Sequence, residues 1–351
     1  MDTVVPRGTH AGPGARTTVT RRGFLRVGAF AVASGTLAAG MLSERREARA
    51  AGLTRVTLRL NFNPNAEHAP YYLGKKKGFY SEQGIDLTIL PGTGSATAVQ
   101  LVGAGESMFG VAVADAVTVG RAQKIPVVSL GVLLQNSPTV LASLKSKNIT
   151  KPTDLYGKKV GDNPASTVHA FWNAFLKINN LDPGRITVVN VTASVGPLVA
   201  GSIDAAGLLL TNEVVVIQSR GLALNILNYA DYHVKSYGQT IFTSEGLLNS
   251  NRDLAKRMAL ATFKSWTYTL EHVDEAIAAL AEAVPETDKK LEASKWPAIK
   301  SLVWSPDARA HGFGYQSLTG WTQTYNTFRA GGMIQNDFDP KTLFTDIALQ
   351  K

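Results

Sequence analysis

"NPNAEHAPYYLGKKKGFYSEQGIDLTI", residues 63–89, is the stretch on which the reading of this chain turns. It follows "RVTLRLNF" (55–62), which alternates apolar and polar residues as a strand does. Pro70 falls in the first turn of the helix that comes next, where its missing N–H costs nothing. That helix carries Lys75, Lys76 and Lys77, and it gives way near Gly84 to a strand, "IDLTIL". Asn63, Asn65, Glu67 and His68 therefore stand where a strand stops and a helix starts. Polar groups there either cap the helix and face water or face a ligand.

The same rhythm continues outward. Ser95 in "GTGSATAVQLVGAG" reads as a helix cap, "MFGVAV" as a strand, and Asp115 as the cap of "DAVTVGRAQ". "IPVVSLGVLL" and "TVLASL" follow as strands. The β-α-β-α-β order implies a mainly parallel sheet covered by helices. The texture turns polar at "KSKNITKPTDLYGKKVG" (145–161), and a second α/β series then runs to "LNIL" (224–227). Beyond about Gly246 the chain is mostly helical. The expectation is an α/β protein of two lobes, one from 52–145 with 245–351 and one from 146–244. The crossings are expected near Ser146–Asp154 and Gly238–Glu245.

A chain of 351 residues, 44% hydrophobic, is long enough for about two domains. It has no cysteine, which excludes disulfides, thiolate metal sites and thiol nucleophiles. "TRRGFLRVGAFAVASGTLAAGM" places Arg21 and Arg22 before a short apolar run, and Ala48 and Ala50 follow in A-x-A positions. This leader (1–50) resembles a twin-arginine signal peptide, either cleaved or kept as an anchor. It holds eight of the 36 basic and three of the 27 acidic residues, so the remainder is only mildly basic. No basic run with interleaved aromatics supports nucleic-acid binding.

In open α/β sheets ligands sit at the C-terminal ends of the strands. The strand exits are 61–72, 91–97, 112–116, 161–168 and 211–213, and none contains Lys or Arg. They carry Glu67, Asp115, Asp162, Glu213, His68, several amides and hydroxyls, and the aromatics Phe62, Tyr71 and Tyr72. An anion site usually draws on Arg, Lys or helix N-terminal amides. Acids beside aromatics suit a flat neutral or cationic ring with N–H donors. Ser95 and Ser166 open helices and keep an anion possible. Each residue also has a structural reading: Ser95, Asp115 and His68 as caps, Glu213 as a partner of its helix dipole, one of Tyr71 and Tyr72 as core. Trp172 and Phe175 read as core. No metal-ligand spacing, P-loop or G-x-S-x-G is present, so neither a metal nor a cofactor is expected.

The segment 60–89 resembles the N-terminal motif of ABC transporter substrate-binding proteins of the nitrate/sulfonate/thiamine-pyrimidine group. It is most similar to the thiamine pyrimidine precursor-binding branch. The matching residues are Phe62, Pro64, Asn65, His68, Tyr72, Lys77, Gly78, Phe79, Tyr80, Gly84, Ile85 and Asp86. Glu213 and Gly221 keep a second spacing of that branch. Phe62 stands where the branch usually has Trp, and Asn212 where it has an aromatic. The resemblance implies a two-lobed periplasmic-binding-protein type II fold with a ligand cleft between lobes. It also implies a monomer that hands its ligand to an ABC transporter permease. Related pyrimidine-precursor synthases carry a Lys four residues before the His and a cysteine cluster. Here that position is Pro64 and cysteine is absent, which argues against an enzyme.

The expected site follows. A small ring stacks on Phe62, Tyr71 or Tyr72 and donates to Glu213. Asn65 and His68 bond its polar atoms, Ser95 and Asp115 close one wall, and Ser166 heads a helix in the other lobe. A thiamine pyrimidine precursor is the leading ligand. A sulfonate, a riboflavin-like ring or another small aromatic are the alternatives.

Overall fold

In β1 (Thr54–Arg59) the alternation turns Val56 and Leu58 into the core while their neighbours stay more exposed. The computed structural model describes residues 52–164, 166–192 and 194–349. The twin-arginine leader, with Arg21, Arg22 and the A-x-A residues, lies outside the described residues.

The first sheet contains β1, β2 (Ile85–Leu90), β3 (Phe109–Val113), β4 (Val127–Val132) and β10 (Gln239–Ser244), in the order β2-β1-β3-β10-β4. β1 runs parallel to β2 and β3, and β10 runs antiparallel to β3 and β4. The second sheet contains β5 (Thr139–Leu144), β6 (Lys159–Asp162), β7 (Thr187–Asn190), β8 (Ala205–Leu209) and β9 (Leu224–Asn228), in the order β7-β6-β8-β5-β9. β6 is parallel to β7 and β8, and β5 is antiparallel to β8 and β9. Each sheet thus has three parallel strands, then one antiparallel strand supplied by the other half of the sequence order, then a fifth.

Two strands sit in the sheet that the sequence reading did not give them. "TVLASL" is β5 of the second sheet, and Gln239–Ser244 is β10 of the first. "TVLASL" is mostly apolar and "QTIFTS" mostly polar, and neither pattern says which sheet a strand joins. The polar stretch at 145–161, where the first crossing is expected near Ser146–Asp154, instead forms two short 3-10 turns, Lys145–Lys147 and Pro152–Leu155, between β5 and β6 of the same sheet. The chain passes between sheets at about 133–138 and 234–239. These passages bond each other: Leu133 and Leu134 N–H donate to the Gln239 carbonyl (2.7 and 3.1 Å), Gly238 N–H to Leu134 (2.9 Å) and Ser137 N–H to Ser236 (2.9 Å). A Cβ on Gly238 would lie 2.5 Å from the Asn136 carbonyl oxygen, so this close approach requires glycine.

The helices are α1 (Ala69–Lys76), α2 (Ser95–Gly103), α3 (Ala114–Ala122), α4 (Thr167–Ile178), α5 (Val195–Val199), α6 (Glu213–Ser219), α7 (Glu245–Ser250), α8 (Arg252–Glu271), α9 (Val273–Ala283), α10 (Lys289–Ser294), α11 (Trp296–Val303), α12 (Pro306–His311) and α13 (Leu318–Ala330). α8 and α9 pack on α1, while α13 packs on both α3 and α4 and so spans the two halves. The first core is built on Trp266, with Tyr71 edge-on at 6.4 Å and Phe313 stacked at 6.1 Å. The second holds Phe171 between Tyr229 (5.7 Å, stacked) and Phe328 (5.1 Å, edge-on). Such aromatic pairs add about 0.5–1.5 kcal/mol beyond area burial. Trp172 and Phe175 are buried here, as read from the sequence. Among the described residues no helix is long and apolar enough to cross a membrane.

Candidate functional site

The parallel strands β6, β7 and β8 end at a common edge, and a cavity of about 270 Å³ opens there. Asp162, the last residue of β6, and Gly207 and Leu208 of β8 line it. Asn163, Ser166 and Val168 enter at the head of α4, Thr192, Ser194 and Val195 from the exit of β7, and Glu213 from the first turn of α6. This is where backbone geometry concentrates helix N-termini and leaves side chains free to point at a ligand.

Among the described residues, two carboxylates and no Lys or Arg form this wall. Ser166 caps α4, accepting from Val168 N–H at 3.2 Å. Glu213 Oε2 accepts from Leu209 N–H at 3.0 Å, which fixes its carboxylate against the end of β8. Its placement in the first turn of α6 also suits the helix dipole. Asp162 is buried, with Oδ2 2.5 Å from His169 Nδ1.

The 61–72 segment approaches the same end of the molecule from the first sheet. Glu67 Oε1 accepts from the Thr211 hydroxyl at 2.5 Å, two residues before Glu213, and Oε2 accepts from Gln239 Nε2 at 3.1 Å. Burial raises the Glu67 carboxyl above its ordinary range, while the Thr211 bond and the Lys295 charge act the other way. Lys295 is itself buried, paired to Glu292 at 2.7 Å, and the other Glu292 oxygen accepts from Ala66 N–H at 2.6 Å.

The expected residues fall into separate groups. Ser166 and Glu213 share the cavity. Asn65 and His68 are a capping pair: Asn65 Oδ1 accepts from Glu67 N–H (3.0 Å), and His68 Nδ1 accepts from Asn65 N–H (3.2 Å). His68 Nε2 then donates to Asn61 Oδ1 at 2.7 Å, so both ring nitrogens are engaged. Burial drives this imidazole down to about 3, with a smaller opposing effect from the Asn63 backbone. Tyr71 is core, donating to Gln239 Oε1 at 3.0 Å. Tyr72 is half-buried and faces a wider concavity of about 890 Å³ between α1, the end of β2 and α9. The charges there already pair across the helices, Lys76 with Glu282 and, nearby, Lys77 with Glu275 at 2.6 Å. Phe62 is exposed at 52%.

Ser95 and Asp115 differ from their reading as caps. Gly94 occupies the N-cap of α2, and Ser95 Oγ accepts from Val113 N–H at 3.3 Å, tying α2 to β3. Val113 is the N-cap of α3, and the buried Asp115 accepts from Ala116 N–H inside the first turn. In both cases the cap position falls one or two residues before the polar side chain. Asp162 and Thr211 lay in the strand exits already identified, whereas Thr192 and Ser194 follow a strand whose exit had not been included. Gln239, Glu292 and Lys295 arrive from distant segments, and no local pattern marks them.

Comparison with known proteins follows this geometry. A riboflavin-binding protein, RibY, of Chloroflexus aurantiacus is 26% identical over 84% of this chain and 86% of its own. A formylaminopyrimidine-binding protein of Halalkalibacterium halodurans is 22% identical over 84% and 91%. A 4-amino-5-hydroxymethyl-2-methylpyrimidine phosphate synthase of Legionella pneumophila is 28% identical over 66% and 75%. Among solved structures, the periplasmic aliphatic sulphonate binding protein SsuA from Escherichia coli superposes with a TM-score of 0.62 at 14% identity, over 82% of this chain and 91% of that one. A Candida albicans protein described as having the generic periplasmic binding protein fold gives 0.62 at 13% identity, over 85% and 98%. The two-sheet α/β architecture is thus the periplasmic-binding-protein fold. Residues 65–276 match the family described as NMT1/THI5 like, and the chain belongs to that family.

Proposed function

We propose that this protein is the extracytoplasmic solute-binding component of an ABC importer, and that it binds a small heterocycle with N–H donors, of the thiamine-pyrimidine precursor type. The observation that carries this reading is the cavity at the ends of β6 and β8, walled by Asp162 and Glu213 and, among the described residues, by no Lys or Arg. A carboxylate held against a strand end accepts from an amino group by a charge-assisted hydrogen bond worth about 1.5–3 kcal/mol. A volume of about 270 Å³ lies just below the range usual for small-molecule pockets, about 300–1,000 Å³, and favours a single ring over a three-ring flavin. Relatives named for binding formylaminopyrimidine and riboflavin support a heterocycle.

In this reading Glu213 is the principal acceptor and Ser166 bonds a ring nitrogen or side arm. The exposed Phe62 is the aromatic surface available to the ligand as the lobes close, Tyr72 faces the separate concavity beside α1, and Asn65, His68, Ser95 and Asp115 hold the surrounding loops. The two lobes are 52–134 with 239–349 and 139–234, hinged at the paired crossings, and they close on the ligand. The protein releases its ligand unchanged to a membrane permease and acts as a monomer. It is not a synthase: Pro64 stands at the position of the synthase lysine. Export runs by the twin-arginine route, and normal export of a double Arg21→Lys, Arg22→Lys variant contradicts that route.

Calorimetric titration tests the ligand class. Glu213→Gln keeps shape and removes charge, so affinity for 4-amino-5-hydroxymethyl-2-methylpyrimidine falls about ten- to a hundredfold. An alkanesulfonate that binds wild type, with equal or better affinity in Glu213→Gln, overturns the donor-ring reading in favour of an anion at the head of α4.

A further inference from the structure

We infer that Asp162 is a second ligand-binding carboxylate of this cavity, held in place by His169 and Asn173, and that it selects ligands presenting a second N–H donor. The inference rests on the heterocycle reading above and names a residue that the family spacing around Glu213 does not mark.

The geometry is specific. Asp162 closes β6, and a β-strand end is among the more rigid positions a fold offers. Its side chain is 6% exposed, yet only Oδ2 has a side-chain partner, His169 Nδ1 at 2.5 Å. Oδ1 accepts no hydrogen bond among the described residues, in the wall of a cavity. An acceptor oxygen that faces a cavity without a protein donor is open to a donor from a ligand.

His169 acts as a clamp. Asn173 Nδ2 lies 2.8 Å from His169 Nε2, so the side-chain amide donates to that nitrogen. The ring proton then sits on Nδ1 and points at Asp162. An imidazole in this orientation holds the carboxylate in place through its Nδ1–H. His169 and Asn173 lie one turn apart on α4, so the helix holds both against Asp162 at the end of β6.

A second observation points the same way. The Tyr229 hydroxyl is buried, with no hydrogen-bond partner among the described residues. It lies 3.9 Å from the point a Cβ on Gly207 would occupy, and Gly207 lines the cavity. Asp162 is close enough to add to the upward push that burial gives the Tyr229 phenol. An unbonded hydroxyl therefore lies behind the Gly207 wall of the cavity, within electrostatic reach of Asp162. A ligand fitting the cavity donates one N–H to Glu213 and another to Asp162, as an amino-substituted nitrogen heterocycle can. An alkanesulfonate has no N–H for either.

Equilibrium dialysis of the mature chain with 4-amino-5-hydroxymethyl-2-methylpyrimidine tests this. In Asp162→Asn the amide oxygen still accepts from His169, while an NH2 replaces the acceptor facing the cavity. The expected result is an affinity loss of about tenfold or more, with ligand-free melting close to wild type. With the 4-dimethylamino analogue, which lacks the amine N–H bonds, the same substitution costs much less, because the two losses share one interaction. Affinity within about twofold of wild type in Asp162→Asn, or an equal loss for both compounds, overturns the role of Asp162. A continued loss in Glu213→Gln then leaves the binding function standing. No binding by wild type overturns both. If Asp162→Asn does not fold, His169→Ala weakens binding about threefold or more and His169→Gln, which restores a donor, recovers it. Equal affinity in those two variants overturns the clamp and the inference with it.

Discussion

The Thr211 hydroxyl donates a 2.5 Å hydrogen bond to Glu67 Oε1, and so joins the exit of β8 in the second sheet to the exit of β1 in the first. Glu67 is the meeting point of three remote segments, since Gln239 also donates to it and Lys295 lies close enough to favour its charge. Thr211→Val preserves shape and removes the donor. The expected cost is about 1–3 kcal/mol, read as a lower urea midpoint at unchanged slope. A midpoint equal to wild type contradicts a structural role for this bond.

The crossing segments make a second prediction. In Gly238→Ala the new methyl meets the Asn136 carbonyl oxygen at 2.5 Å and the Leu134 Cβ at 2.8 Å. Both belong to the opposite passage between sheets, so the two strands must part. A loss of about 1–3 kcal/mol is expected, with weakened ligand affinity as the lobes are held out of register. Gly221→Ala serves as a contrast: no atom crowds its Cβ, and only its φ of +79° opposes the change. Equal costs at the two positions contradict the steric account.

The third prediction concerns acid. His68 has a folded value of about 3 against an ordinary value near 6.5, because burial disfavours its charged form. Unfolded chains bind the extra proton first as pH falls through about 6.5. The contribution of this group is therefore complete above 6.5 and is lost toward 3, by at most about 1.4 kcal/mol per pH unit. Glu67 runs the opposite way, because a raised carboxyl contributes stability at low pH that is lost as pH rises through its folded value. The difference between wild type and His68→Gln isolates the histidine. That difference curve is expected to shrink as pH falls from 6.5 to 4, measured by denaturant unfolding. A flat curve contradicts a neutral buried His68.

Much of the architecture was legible in the sequence, and the reasons are local. Alternation at 55–62, Pro70 at a helix start and the strand "IDLTIL" mark β1, α1 and β2 directly. The strand-exit rule placed Ser166 and Glu213 at one cavity, since helix starts after parallel strands converge by geometry. What was not legible is long-range. Nothing in "TVLASL" says that it pairs with β8 instead of β4, since pairing partners are chosen by the whole sheet. His68 reads equally as cap and as ligand until Asn61 and Asn65 are seen to use both ring nitrogens. Lys295 enters from a helical segment 228 positions beyond Glu67 and carries no motif.

The central claim is that this chain binds a small nitrogen heterocycle and gives it back unaltered. Native mass spectrometry of the mature protein with 4-amino-5-hydroxymethyl-2-methylpyrimidine tests it most directly, with a parallel incubation in pyridoxal phosphate. The account predicts a one-to-one complex that vanishes on denaturation, a released ligand of unchanged mass, and no covalent adduct from the second incubation. Failure to form the complex contradicts the ligand class, and a lysine-linked adduct with a new small-molecule product contradicts the binding-protein reading altogether.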